Sequence, residues 1–142
     1  MAEIRSVMTA DPARCHADTP LRDVARLMVE HDCGQIPVVD GDGRPVGVVT
    51  DRDIAVRIVA EGRDAAAATA GDAMTSPCHA VGSDTTLQDC IALMEARKVR
   101  RVPVVDGDGR LAGIVSIADV ALSGKETATA QVVREVSEPG RR

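Results

Sequence analysis

The chain has 142 residues, 44% hydrophobic and 27% charged, with no Phe, Tyr or Trp and a net charge of −5. That length suits one compact domain or two small ones, and the apolar share excludes wholesale disorder. The missing rings exclude base stacking and aromatic cation cages, and the acidic balance excludes a global basic field for nucleic acid or anionic membrane.

The chain start, Met1-Ala2-Glu3-Ile4-Arg5, has no basic stretch followed by an apolar one, so it does not read as a secretory signal. No apolar run approaches the ~18–20 residues of a membrane span. The expected location is the cytoplasm, where its four cysteines are expected to be reduced. A short segment ending at Met8-Thr9 comes first. Thr19 is then expected to cap a helix that has Pro20 at its first position and Asp23 in its first turn. Leu21, Val24, Ala25 and Met28 recur at helical spacing, and Leu27 widens the stripe. A β-hairpin follows. Its strands are Ile36-Pro37-Val38-Val39 and Val46-Gly47-Val48-Val49-Thr50, joined by the turn residues Asp40-Gly41-Asp42-Gly43. A second helix is expected over about 51–61, and the alanine-rich stretch 62–71 reads as a frayed helix or loose linker. The same series then runs again. Met74-Thr75 leads to Thr85-Thr86-Leu87-Gln88, a capping-box pattern, then to a stripe of Leu87, Cys90, Ile91 and Met94. A hairpin over 102–116 and a helix over 117–122 complete the copy. Residues 128–136 form an amphipathic helix candidate, and 137–142 read as a disordered tail.

The repetition is a tandem duplication. Residues 38–44 recur as 104–110, an offset of 66, and 19 of the 47 positions from 8 to 54 match their partners from 74 to 120 without a gap. The expected organisation is a first unit at 1–62, a linker at 63–72, a second unit at 73–124, and a C-terminal helix and tail at 125–142. A unit of about 60 residues buries little surface alone, so the two are expected to share a core as an intramolecular pseudo-dimer. With 21 Ala and 20 Val, that core is built from small aliphatic pieces.

The strongest chemical motif is Gly47-Val48-Val49-Thr50-Asp51-Arg52-Asp53, repeated as Gly113-Ile114-Val115-Ser116-Ile117-Ala118-Asp119. A strand ends at a hydroxyl residue where a helix begins, and a carboxylate follows three residues on. Unpaired N–H groups at a helix start suit phosphate, and a carboxylate one turn in can accept two bonds from a ribose diol. The same pattern also serves as a capping box without any ligand. The second copy carries Arg97-Lys98-Val99-Arg100-Arg101 where the first has His31-Asp32-Cys33-Gly34-Gln35. Those cations suit either a polyphosphate or a solvated helix C-terminus. Arg52 adjoins Thr50 while its counterpart is Ala118, so the two sites are expected to differ.

Other constellations are weaker. Cys15-His16 and Cys78-His79 supply donors of the kind zinc takes, but adjacent strand residues face opposite ways, and ordinary apolar packing is the better account, ahead of metal or a reactive or bridging thiol. Cys90 falls on the helix stripe and reads as core. Asp40 and Asp42 begin like a calcium loop, but Arg44 stands at the next ligand position, so a turn is expected. No nucleophile paired with a base is visible, and the chain is expected not to be an enzyme.

Paired units of helix, Pro-Val-Val-Asp hairpin, Gly-x-x-Thr/Ser-x-x-Asp and helix resemble the CBS-domain pair, the family named after cystathionine β-synthase. The resemblance covers roughly residues 4–122. It implies an α+β fold of tandem β-α-β-β-α units packed through their sheets, with clefts for adenosine-type ligands such as AMP, ADP, ATP or S-adenosylmethionine. It implies that Thr50 and Ser116 contact phosphate or ribose oxygens, that Asp53 and Asp119 hold ribose hydroxyls, and that Ile36 and Val102 help sandwich the base. Arg52, Arg100 and Arg101 complete the candidate ligand-binding set. The expected function is a non-catalytic regulatory sensor of an adenosyl ligand, acting as a homodimer on an unidentified regulated protein. No metal or required cofactor is expected, and no nucleic-acid or membrane partner. Two alternatives stay open: a redox- or metal-responsive stress protein using its Cys and His residues, and a ligand-independent dimeric adaptor.

Overall fold

The computed structural model describes residues 3–122; the helix expected over 128–136 and the tail beyond it lie outside them. The chain divides into two compact units, one of Ala13–His79 and one joining Met1–Pro12 to Ala80–Arg142. They are called the first and second unit below.

In the first unit, α1 (Leu21–Glu30) turns Leu21 and Val24 into the core. It starts one residue later than expected. Pro20 takes the N-cap position in an extended conformation, and no side chain caps the helix. Thr19 is committed elsewhere: its hydroxyl accepts the His16 N–H at 2.9 Å and its carbonyl accepts the Ala70 N–H at 2.8 Å. Strand β2 (Gln35–Val39) pairs antiparallel with β3 (Pro45–Thr50), with an irregularity at Val38/Val39. The turn between them is built as its residues dictate. Asp40 Oδ1 accepts the N–H groups of Asp42 and Arg44 at 2.9 and 3.0 Å, and Gly43 adopts φ 84°, a left-handed conformation that favours glycine. These bonds, the Arg44 N–H first, lower the Asp40 pKa.

Helix α2 (Asp51–Ile54) continues as a π-helical turn over Ala55–Val59, so the expected helix over 51–61 is widened in its second half. The alanine-rich stretch is docked. The Leu21 N–H donates to the Ala68 carbonyl at 2.9 Å, the Gly71 N–H donates to the Ala17 carbonyl at 2.8 Å, and α3 (Ala70–Ala73) follows. Small side chains make this possible, since Ala68, Ala70 and Ala73 enter a cluster with Cys15, Leu21, Val24, Ile36, Val38, Val49 and Ile58.

The second unit holds a four-stranded sheet in the order β1-β6-β5-β4. β1 (Thr9–Ala10) and β5 (Arg101–Val105) run antiparallel to β6 (Leu111–Ser116), and β4 (Val81–Gly82) runs parallel to β5. α4 (Leu87–Arg97) is capped by Thr86, whose hydroxyl accepts the Asp89 N–H at 3.1 Å. The capping pair is thus one residue beyond the expected Thr85 and Gln88. The Thr85 carbonyl is taken by the Ile4 N–H at 3.0 Å. Lys98 ends α4 in the left-handed region at φ 56°, as Asp32 does after α1 at φ 48°. α5 (Ile117–Leu122) occupies the expected residues. Ile4, Leu87, Cys90, Ile91, Met94, Val102, Val104, Val115 and Val120 form the core cluster.

The unit boundaries differ from those expected at 1–62 and 73–124, because the Met-Thr segments pair across the repeat. Thr9 lies opposite Ile114 in β6, and Thr75 forms the matching bridge to Val48 in β3. Each crosses a repeated glycine. A Cβ on Gly113 would sit 2.9 Å from the Thr9 carbonyl oxygen, and one on Gly47 would sit 2.7 Å from that of Thr75.

Candidate functional site

Thr50 and Ser116 stand where β3 and β6 hand over to α2 and α5. In the first unit the Thr50 N–H donates to Asp53 Oδ2 at 3.0 Å, and the Thr50 hydroxyl accepts the Asp53 N–H at 3.0 Å. In the second, the Ser116 N–H donates to Asp119 Oδ2 at 2.8 Å, and the Ser116 hydroxyl accepts the Asp119 N–H at 3.2 Å. Both motifs are therefore reciprocal helix caps. A cap uses one carboxylate oxygen and leaves the other for something else.

That second oxygen has a different fate in each unit. Asp53 Oδ1 accepts the Thr75 hydroxyl at 3.2 Å, and Arg57 Nη1 lies 3.9 Å away. Arg57 also donates to the Ala73 and Met74 carbonyls at 3.0 and 2.6 Å, which fastens the segment after α3 to the widened helix. Asp119 Oδ1 accepts no hydrogen bond among the described residues. Neither Thr75 nor Arg57 stood out as a site residue in the sequence, although Thr75 lies in the repeated Met-Thr pair.

The cations gather on the second unit. Arg101 lies opposite Ser116 in the β5–β6 ladder, and the Arg100 carbonyl accepts the Ile117 N–H at 2.9 Å. Both residues thus flank the start of α5. Their counterparts are Gln35, opposite Thr50, and Gly34, whose carbonyl accepts the Asp51 N–H at 3.0 Å. Gln35 Oε1 is buried without a hydrogen-bond partner. A Cβ on Gly34 would meet Asp51 Oδ2 at 2.9 Å, so the Asp51 carboxylate lies over that glycine. Arg52 is exposed, and its N–H donates to Asp51 Oδ1 at 2.7 Å. Ile36 and Val102 are each 1% exposed and belong to the core clusters of their units. Packing claims most of each side chain.

A separate apolar concavity of about 300 Å³ in the first unit is lined by Leu21, Arg22, Ala25, Ile54, Ala65 and Ala66, none of them a candidate site residue. Cys15 and Cys90 are buried, and burial pushes the thiols of Cys15, Cys78 and Cys90 up to about 11. Protonated thiols are poor nucleophiles. His16 Nδ1 lies 3.1 Å from the Val39 carbonyl oxygen. Among the described residues, no three His, Cys, Asp or Glu side chains gather as a metal site. No helix there is long and apolar enough to cross a membrane.

Known proteins share this architecture. Hypoxic response protein 1 of Mycobacterium tuberculosis is 36% identical over 139 residues, covering 98% of this chain and 96% of that protein. A crystal structure of Hypoxic Response Protein I with two coordinated zinc ions matches with a TM-score of 0.77 and 37% identity, over 85% of this chain and 98% of that one. The structure of CBSX2 from Arabidopsis thaliana in complex with AMP matches with a TM-score of 0.78 and 26% identity, over 89% and 99%. The CBS domain pair of protein MJ0100, in complex with 5-methylthioadenosine and S-adenosyl-L-methionine, matches with a TM-score of 0.77 and 25% identity, over 89% and 98%. The CBS domain model matches residues 4–60 and again 70–124. The chain belongs to the CBS domain family and carries two CBS domains in tandem.

Proposed function

We propose that this protein is a non-catalytic regulatory module that binds an adenine nucleotide or related adenosyl ligand through the hydroxyl-and-carboxylate caps of its two CBS domains. The observation that carries this reading is the reciprocal Thr50–Asp53 and Ser116–Asp119 pairing at one structural position in both units. Each cap sits at a strand-to-helix junction, and among the described residues Asp119 keeps one oxygen that accepts no hydrogen bond. The AMP and S-adenosyl-L-methionine held by CBSX2 and MJ0100 support the ligand class. The ligand acts by population shift, favouring the arrangement of the protein to which it binds more tightly, and a partner protein reads that arrangement.

Melting the protein with AMP, ADP, ATP and S-adenosylmethionine tests the reading. A ligand at 100 times its dissociation constant stabilises the fold by ~2.7 kcal/mol. No shift with any of the four up to millimolar concentration removes the proposal for this class. A dimer whose mass and stability ignore all four favours the adaptor function. Because the chain has no aromatic residue, a 260 nm absorption band in purified protein free of nucleic acid reports copurified nucleotide.

The zinc ions of the mycobacterial structure prompt a fit test on Cys15, His16, Cys78 and His79. All four lie in the first unit; among the described residues no three metal-ligating side chains converge, and no metal role is assigned.

A further inference from the structure

We propose that residues 3–10 are an exchangeable segment: in a pair of chains, each second unit takes this segment from the other copy. The segment's contacts and its covalent link point to different units. Ile4 is fully buried in the second unit's core with Leu87, Met94 and Val102. The Ile4 N–H donates to the Thr85 carbonyl at 3.0 Å, Arg5 Nε donates to the Ser83 carbonyl at 3.3 Å, and Thr9–Ala10 pairs with Ile114 and Gly113 of β6. Yet the chain passes from Pro12 directly to Ala13 of the first unit. The same groove and strand edge exist on every copy, so a second chain can supply the segment with every one of these contacts kept.

The hinge favours exchange. Asp11 sits at φ 49°, a left-handed conformation that is unfavourable for a residue with a side chain. It also precedes Pro12, whose ring favours extended backbone at the residue before it. Straightening Asp11 relieves both costs and turns β1 off its own β6, toward that of a second copy. Short hinges under strain invite this kind of swapping. The matching segment of the first unit, 69–76, shows the contrasting, fastened form. Arg57 donates to the Ala73 and Met74 carbonyls, the Thr75 hydroxyl donates to Asp53, and Arg63 pairs with Asp72 at 3.2 Å. Side chains of the unit it fills thus hold it at three places. Residues 3–10 are held by backbone pairing, by Ile4 and by Arg5. Their Glu3–Arg5 ion pair and the Ser6 hydroxyl bond to the Glu3 carbonyl lie within the segment and travel with it.

The test uses the full chain. Isotope-labelled and unlabelled protein are unfolded, mixed, and refolded together at millimolar concentration, and the dimer is isolated. Isotope-filtered NOE spectra are expected to show Ile4 of one chain against Leu87 and Met94 of the other. Asp11→Gly removes the left-handed cost at both hinges of a pair, and it is expected to lower the dimerisation constant about tenfold or more. Asp11→Val, whose branched side chain tolerates that conformation less, is expected to raise it. Circular dichroism matching the parent shows that each variant folds, and Asp11→Gly carries the hinge test if Asp11→Val does not. A chain that stays monomeric at millimolar concentration overturns the proposal. A dimer in which the Ile4 contacts run within one chain overturns it too, because the copies then meet through another face. A dimerisation constant unmoved by Asp11→Gly removes the hinge as its cause and overturns it as well.

Discussion

Asp53 and Asp119 each carry a role in the fold and the proposed ligand role on one side chain. Each closes a helix start with one oxygen, a bond that is needed whether or not a ligand is present. What distinguishes them is what lies beside the other oxygen: for Asp53, Thr75 from a distant part of the chain and Arg57 one helical turn on. Asp53 is 14% exposed and Arg57 44%, so their contact is partly screened, and the Thr75 bond is the more specific restraint on Asp53. The hydroxyl–x–x–Asp pattern was legible in the sequence, because its bonds span three residues. The Thr75 bond and Arg57's bonds to Ala73 and Met74 were not, because they depend on where the segment after α3 docks. The cysteines give a prediction at this scale. Burial raises Cys15, Cys78 and Cys90 from 9.0 to about 11. The unfolded chain sheds these protons first, so native stability from this source is complete below pH 9. It declines as pH rises through 9 toward 11, since above pH 9 the unfolded state binds fewer protons. Urea melts at pH 8 and pH 10.5 are expected to show that loss, and Cys90→Ala to flatten it. An unchanged slope in Cys90→Ala would remove Cys90 as a source.

The elements follow the repeat closely where local chemistry decides them. The hairpin turns are the clearest case: Asp40 and Asp106 each accept two backbone N–H groups, and Gly43 and Gly109 take the left-handed conformation at φ 84° and 81°. Helix starts were less legible. Thr19 and Thr85 have good capping chemistry, but their backbone groups are drawn into contacts with residues 70 and 4, and each helix begins one residue beyond its expected start. The repeated glycines of β3 and β6 belong to this scale as well, because each admits a crossing Met-Thr segment. Gly113→Ala would place a Cβ 2.5 Å from Met8 Sδ and 2.9 Å from the Thr9 carbonyl oxygen. The methionine can swing aside; the carbonyl is held by β1 pairing with β6. A loss of about 1–3 kcal/mol is expected from this overpacking, measured by chemical denaturation. Gly41→Ala, at a turn with open space around its Cβ position, is the matched control and should cost much less.

At the scale of the molecule, the duplication fixed the number of units and left their membership ambiguous. An offset of 66 aligns the two Met-Thr pairs with each other but does not say which hairpin each one joins, so local and exchanged pairing have the same sequence signature. Packing decides between them. Ile4 is fully buried with Leu87, Met94 and Val102, and Thr9–Ala10 extends the sheet at β6, so the chain start completes the second unit. Thr75 does the same for the first hairpin at Val48. Removing residues 1–12 therefore tests the exchange. It strips a strand from the second sheet and uncovers the pocket left by Ile4, a loss of at least ~2–3 kcal/mol from that side chain alone. Amide hydrogen exchange is the measurement, because it reads each hairpin separately. Strands β5 and β6 are expected to lose protection while β2 and β3 keep theirs. Faster exchange confined to β2 and β3 would mean that the chain start serves the hairpin nearest to it in sequence.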